Sequence, residues 1–215
     1  MKNQEKIFFN TEGDNWFVRN NKKIGAVKIS QDLPLFLMEK YSLQPKKILE
    51  IGCSNGWRLN EINKRYHSRC FGIEPSLRAI SDGRKKYKKI LFKRGLVHNL
   101  PLNDKNKFDL IIVNFVLHWV SRELLFKAIA EIDRVLVKGG HLIIGDFLPD
   151  YPVSNFYHHL PDKVVYTYKL DYAHLFLDSA FYRIVAQLTF DHKSELLLTD
   201  TSSLDRCVCS LLKKL

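Results

Sequence analysis

The sequence predicts an α/β protein in which a doubly wound, mostly parallel sheet carries helices on both faces and closes with an antiparallel hairpin. Three observations predict it. Between positions 46 and 147, apolar runs alternate with segments of helical character, the pattern expected when parallel strands are joined by crossover helices. Phe108–Phe115 is apolar almost without interruption, as a strand covered on both faces should be. Lys47–Ile51 runs into a short polar turn bounded by Gly52 and Gly56, and a helix-compatible segment, Trp57–Tyr66, starts directly after it.

The elements follow in order. Phe8, Phe9, Trp16, Phe17 and Val18 make the first segment too apolar for a disordered tail, and residues 14–20 read as a short helix or turn. Asp32–Tyr41 reads as a helix with Asp32 as its cap and Pro34 in its first turn. Strands are expected at Lys47–Ile51, Arg69–Ile73, Ile90–Arg94, Phe108–Phe115 and His141–Phe147, with helices at Trp57–Tyr66, Ser76–Lys86 and Arg122–Leu136. The last of these helices has an apolar stripe at Leu125, Ile129, Ile132 and Leu136, and Gly139 and Gly140 are expected to end it and turn the chain into the next strand. After position 148 the character changes to prolines, tyrosines and histidines, then a helix near Asp171–Ala180 and two strands, Tyr182–Phe190 and Asp205–Leu212. No repeats or low-complexity segments are visible.

A chain of 215 residues suits a single domain. No apolar run approaches the roughly 18 residues of a membrane helix, and the first residues lack the apolar region of a signal peptide, so a cytoplasmic protein with no membrane partner is expected. Cys53, Cys70, Cys207 and Cys209 have no zinc-type spacing; free thiols and no metal site are expected. The net charge of +11 is the unusual bulk feature, with a local basic run at 84–89 joined by Lys93 and Arg94. Such charge attracts nucleic acid or anionic surfaces. The run also ends a helix, where cations complement the dipole, and lysine is plentiful along the whole chain, so nucleic acid is the less favoured partner.

The turn after the first strand constrains the ligand. A dinucleotide fingerprint needs glycines at 52, 54 and 57, and the chain has Gly52, Ser54 and Trp57. Trp57 would crowd the helix start that should meet a pyrophosphate, and Glu50 inside the strand would repel an anion. A cationic, phosphate-free nucleoside fits better. S-adenosylmethionine is one: its sulfonium and amino groups are positive, its carboxylate can take backbone N–H groups, and its ribose needs an acidic partner at the end of the next strand. Glu74 is that candidate, 22 positions past Gly52 and close to the roughly 20 expected of a ribose-binding carboxylate.

The ordered set Glu50-x-Gly52-x-Ser54-x-Gly56, then Gly72, Ile73, Glu74, Pro75 and Ser76, then Asn99, Leu100 and Pro101, then 108–113 and 134–140 resembles the motifs of class I S-adenosylmethionine-dependent methyltransferases. The resemblance covers about residues 46–147. It implies a Rossmann-like, seven-stranded sheet, mostly parallel with a C-terminal antiparallel hairpin. It also implies one domain over 1–215, in which 1–45 forms a helical lid, 46–147 binds the cofactor, and 148–215 supplies the acceptor side and closing hairpin. Glu50, Gly52, Cys53, Ser54, Gly56, Glu74, Pro75, Asn114 and Phe115 fall at the family's cofactor positions. Ser54 replaces the usual middle glycine, which is tolerable if its backbone avoids positive φ. Leu96 stands where an acidic residue often meets the adenine amino group, leaving the Val97 backbone or His98 as substitutes. Trp16 and Arg19 are expected either to cover the methionine end, with Arg19 pairing its carboxylate, or to be sheet packing and a surface cation.

Methyl transfer asks the protein mainly to hold a nucleophile in line with the departing sulfur and to exclude water. The family's acceptor sites form after the fourth strand, at the lid, and before the closing hairpin, which on this chain means 114–119, Trp16, Asp146, 157–159 and 166–168. His118 is the first candidate for a base facing the methyl group, the alternative being a hydrogen-bonded histidine packed under Trp119. His158 and His159 are the next candidates, as pocket wall or surface loop. No Asn-Pro-Pro-aromatic motif and no cysteine motif for base methylation is visible. The expected function is therefore methyl transfer to O or N of a small molecule. Residues 157–161 and 166–171 resemble methyltransferase-like proteins of surface-sugar gene clusters, which implies a sugar or sugar nucleotide as acceptor, and an anionic sugar nucleotide would fit the basic charge. An RNA methyltransferase and a non-catalytic binding module on the same fold are the alternatives.

Overall fold

The chain, seen in a computed structural model, is described for residues 3–24, 31–194, 197 and 202–215. Residues 1–2 and 25–30 of the expected N-terminal lid lie outside the described residues. The strands are β1 (Lys47–Ile51), β2 (Arg69–Glu74), β3 (Leu91–Arg94), β4 (Phe108–Asn114), β5 (Leu136–Phe147), β6 (Val153–Phe156), β7 (Tyr166–Lys169), β8 (Tyr182–Asp191) and β9 (Arg206–Lys214). The helices are α1 (Asn3–Ile7), α2 (Gly13–Ile24), α3 (Leu33–Lys40), α4 (Trp57–Tyr66), α5 (Leu77–Lys86), α6 (Arg122–Val135) and α7 (His174–Leu177); a π turn, Phe8–Glu12, joins α1 to α2.

Seven strands form one sheet in the order β3-β2-β1-β4-β5-β9-β8. β1 to β5 run parallel, and β9 and β8 are antiparallel to their neighbours, as the sequence predicts. The two faces bury separate layers. Leu49, Ile51, Phe108, Ile111 and Val113 pack with Leu125, Ala128 and Ile132 of α6 and with Tyr172 and Phe176, while Ile48, Leu110 and Ile112 pack with Leu35, Met38, Leu59, Ile62 and Ile80 of α3, α4 and α5. From central β1 the chain moves one way to β2 and β3, then crosses back to β4 and β5. The direction therefore reverses between β1 and β4, and ligands of open α/β sheets bind outside the C-terminal ends of the strands that flank such a reversal.

Several boundaries differ from expectation. α6 stops at Val135 and Leu136 already belongs to β5, where it pairs with Phe108, so Gly139 and Gly140 lie inside a strand and do not end a helix. The ladder shifts register between Phe108 and Leu110, which absorbs the kink those glycines introduce. Residues 13–24 form a full helix where a short helix or turn is expected. The helix near Asp171–Ala180 shrinks to His174–Leu177. β6 and β7, which have no expected counterpart, pair antiparallel as a separate ribbon. Asp32 does cap α3: its Oδ1 accepts the Leu35 N–H at 3.1 Å, and Pro34 sits in the first turn.

Candidate cofactor and acceptor site

β1 delivers residues 52–56 to the switch point, and three of them take left-handed backbone: Gly52 (φ 73°), Ser54 (φ 50°) and Gly56 (φ 77°). The condition under which Ser54 is tolerable is therefore not met. Its strained backbone is instead held by Glu74, whose Oε2 accepts the Ser54 N–H at 2.8 Å while Oε1 accepts the Ser76 N–H at 2.9 Å. Glu74 thus ties the end of β2 to the turn after β1, and each oxygen keeps acceptor capacity after one bond. Burial pushes its carboxyl up to about 7, against the lowering by the Ser76 and Ser54 N–H groups. Ser54 Oγ is buried with no protein partner.

The two glycines of the turn are tightly packed against the protein's own side chains. A Cβ on Gly52 would stand 2.3 Å from Val116 Cγ2, and one on Gly56 would stand 2.6 Å from the Phe92 ring. Both are required by backbone angle and by close packing of the protein's own side chains. The Ser54 N–H is donated to Glu74 and so is not free for a cofactor carboxylate. Cys53 points into the core, against Gly72.

Under the turn lies a buried charge network. Arg58 of α4 donates Nε to both Asp32 oxygens at 3.0 Å, NH2 to Asp32 Oδ2 at 2.8 Å, and NH1 to Glu50 Oε1. The bare repulsion expected from Glu50 is therefore offset by a guanidinium. Two carboxyl groups face one cation, and Glu50 Oε2 has no partner among the described residues. Burial pushes Glu50 up to about 7, opposed by the charge of Arg58.

The N-terminal segment lies across the switch point from β2 to β4. Asp14 Oδ1 accepts from Ser76 Oγ at 2.6 Å and from the Arg78 N–H at 3.0 Å at the start of α5. Arg94 donates to the Phe9 carbonyl, and its guanidinium sits 3.9 Å from the Phe9 ring centroid. On the β4 side, Gln4 Nε2 donates to the Trp119 carbonyl at 2.6 Å, and Glu5 Oε1 accepts the Ser121 N–H at 2.9 Å. The Phe8 ring lies 4.7 Å from that of Trp119. Arg19 donates to Glu12 and, at 2.8 Å, to Tyr157 Oη; Tyr157 Oη also donates to Glu12 Oε1 at 2.7 Å.

His118 follows β4 and is buried, with Nδ1 at 2.9 Å from Asp146 Oδ1 and its backbone N–H donated to Asp146 Oδ2 at 3.2 Å. This bond orients the ring, and a proton on Nδ1 would leave Nε2 as the acceptor. Trp119 packs beside it, 4.7 Å between centroids, as the hydrogen-bonded alternative envisages. His158 and His159 lie exposed after β6, their rings 3.9 Å apart and about equally near Tyr157, at 5.7 and 5.3 Å. Burial and the charge of Arg19 hold His159 below its usual value.

The remaining expected residues divide. Pro75 packs by Gly13 of the N-terminal segment and lends its carbonyl to Arg94. Val97 and His98 are buried on the β2–β3 side, and burial lowers the His98 pKa. Asn114 lies against Gly145 of β5, where a Cβ would collide with its Oδ1. Phe115, at φ 55°, turns its ring toward Phe147, Phe190 and His192 and away from the turn of β1. Sequence reasoning passed over Glu5, Glu12, Asp14 and Arg58. Acidic residues interleaved with Phe8, Phe9 and Trp16 were the available sign for the first three.

The family model described as a methyltransferase domain matches residues 49–144. Among curated relatives, the phthiotriol/phenolphthiotriol dimycocerosates methyltransferase of Mycobacterium leprae is 29% identical over 116 residues, which are 53% of this chain and 42% of that protein. The chain spans 37 to 51% of the curated relatives it matches. Among solved structures, the Burkholderia thailandensis 1,6-didemethyltoxoflavin-N1-methyltransferase superposes with a TM-score of 0.72 at 12% identity, covering 100% of this chain and 91% of that one. A Methanosarcina mazei S-adenosylmethionine-dependent methyltransferase gives 0.65 at 18% identity, covering 83% and 97%. The family match runs from β1 to β5 over the Gly52–Gly56 turn and Glu74, so residues 49–144 match a methyltransferase domain, set in a chain with the fold of S-adenosylmethionine-dependent methyltransferases.

Proposed function

We propose that this chain binds S-adenosylmethionine at the turn after β1 and moves its methyl group to O or N of a small molecule. The observation that carries this reading is Glu74, a carboxylate set at the switch point with one backbone N–H on each oxygen and capacity left for ribose hydroxyls. The unpartnered Ser54 Oγ and the acidic network of Asp32, Glu50 and Arg58 beneath the turn suit a cationic nucleoside and disfavour a pyrophosphate. The cofactor supplies an electrophilic methyl on a good leaving group. The chain's part is to bind, orient and keep water out.

In this reading residues 1–45 act as the lid, 46–147 hold the cofactor and 148–215 line the acceptor side. The lid contacts from Asp14 to Ser76 and from Gln4 to Trp119 would close over both ligands. Arg19 would exchange Glu12 for the cofactor carboxylate, and Val97 and His98 would edge the adenine. His118, set by Asp146, would face the acceptor, with His158 and His159 at the rim. The resemblance carried by 157–161 and 166–171 makes a sugar or sugar nucleotide the acceptor class, bound on the acceptor side and away from the acidic network beneath the turn.

Calorimetric titration with S-adenosylhomocysteine tests the reading. One-to-one binding is expected, weakened at least tenfold in Glu74→Ala. Folded wild-type protein giving no heat would remove it.

A further inference from the structure

We propose that Glu12 recognises the acceptor and that the acceptor presents an amine, so that the atom methylated is nitrogen. The proposal rests on the methyltransferase reading above and narrows its O-or-N alternative.

Glu12 is 0% exposed, yet only one of its oxygens is used. Oε1 receives both Arg19 and Tyr157 Oη, and Oε2 has no partner among the described residues. A guanidinium can grip both oxygens of a carboxylate at once. Here Arg19 reaches Oε1 alone and gives another bond to Tyr157 Oη at 2.8 Å. Leaving a buried carboxylate oxygen without a donor costs about 1–3 kcal/mol, which a fold tolerates where a ligand completes the bond.

The position fits an acceptor. Gly13, the next residue, lies against Pro75 and Ser76 beyond β2, and Tyr157 packs on Trp119 beyond β4 with centroids 4.5 Å apart. Glu12 therefore spans the ends of the two strands that flank β1 and its turn.

The walls favour an ammonium over a hydroxyl. Phe8, Trp119 and Tyr157 form an aromatic cluster beside the carboxylate, with Phe8 at 4.7 Å from Trp119 and 6.1 Å from Tyr157. Aromatic faces and a carboxylate together attract a desolvated cation. A second carboxylate of the same segment, Glu5, is buried beside Ser121 with its Oε2 also unpartnered. Arg19 answers only one of these two charges. Binding brings in the ammonium form, and a proton must leave to solvent before the nitrogen lone pair can attack.

The test is thermal unfolding of protein loaded with S-adenosylhomocysteine, in methylammonium chloride against equal sodium chloride and against tetramethylammonium chloride. At 20 mM, methylammonium should raise Tm by about 3 °C, the shift expected of a site with a Kd of a few millimolar in a domain of this size. Tetramethylammonium, which has no N–H to give Oε2, should produce less than half of that. Glu12→Gln should abolish the difference, and Trp119→Leu should weaken it at least fivefold should Glu12→Gln not fold. Equal Tm values in methylammonium and sodium, or a shift retained in Glu12→Gln, would overturn the assignment. Calorimetric S-adenosylhomocysteine binding on the same samples separates the two readings: binding without a methylammonium effect removes only the amine, and absent binding removes the methyltransferase reading itself.

Discussion

Replacing Arg58 by methionine should cost this protein about 3–5 kcal/mol, because it strands two buried carboxylates. Arg58 is 8% exposed, and three of its nitrogens are engaged by Asp32 and Glu50, whose side chains are 5% and 2% exposed. Methionine fills much of the same volume, so the loss is electrostatic and not a cavity. Asp32 keeps its bond to the Leu35 N–H, but Glu50 loses the one donor it has among the described residues. Glu50→Gln in the Arg58→Met background should therefore return about 1–2 kcal/mol. The pH dependence has a definite sign. Uncompensated carboxylates have folded pKa values raised above the unfolded ones, so the folded state binds more protons, and the variant's stability must fall as pH rises through the raised value. Urea unfolding at pH 5.5 and pH 8 measures this, and the deficit against wild type should be larger at pH 8. A deficit below about 1 kcal/mol, or one equal at both pH values, would show that the network does not hold its carboxylates charged and paired.

Other consequences follow from the turn and the core. Ser54→Gly relieves a left-handed serine and removes a buried unpartnered hydroxyl, so Tm should rise by about 2 °C; a lower Tm in a melting curve would contradict the strain. Gly52→Ala places a Cβ 2.3 Å from Val116 Cγ2 at φ 73° and should cost about 2–4 kcal/mol in urea unfolding, with Val116→Ala restoring part of it. Because Glu74 is pushed up to about 7 in the fold, its share of wild-type stability should decline by about 1–3 kcal/mol from pH 5 to pH 8, and subtracting the Glu74→Gln profile should isolate that share from the one of Glu50; parallel profiles would refute it. Cys53, Cys70, Cys207 and Cys209 are buried, and burial pushes Cys70 and Cys207 up to about 12. A thiol reagent should label none of them in the folded protein and all of them in denaturant.

The sheet was legible because burial on both faces writes itself locally. β1, β2 and β4 each show as an apolar run, and α4 starts at the expected Trp57. β6 and β7 were not legible for the converse reason: they are four residues long and lie on the surface, so no apolar alternation marks them. The site divides along the same line. The turn and Glu74 could be read because each follows its own strand. Glu12 and Arg58 could not, since what makes them matter is a partner far along the chain: Tyr157 is 145 positions from Glu12, and Asp32 is 26 from Arg58.

The same distinction changes what the glycines mean. The space before Gly52 belongs to Val116 and that before Gly56 to Phe92. Glycine at these positions is demanded by φ and by the protein's own packing, and would be demanded by any fold that turned β1 into α4 this tightly. The glycine pattern therefore reports the turn and says little about its occupant. Chemical selectivity at the switch point has to come from groups with unspent hydrogen-bonding capacity, and in the functions proposed above those include two carboxylates: Glu74, which would meet a ribose, and Glu12, which would meet the acceptor's donor. Both face a chain of net positive charge, so the site is a local negative exception. A cation drawn into it gains more than it would anywhere else on the surface.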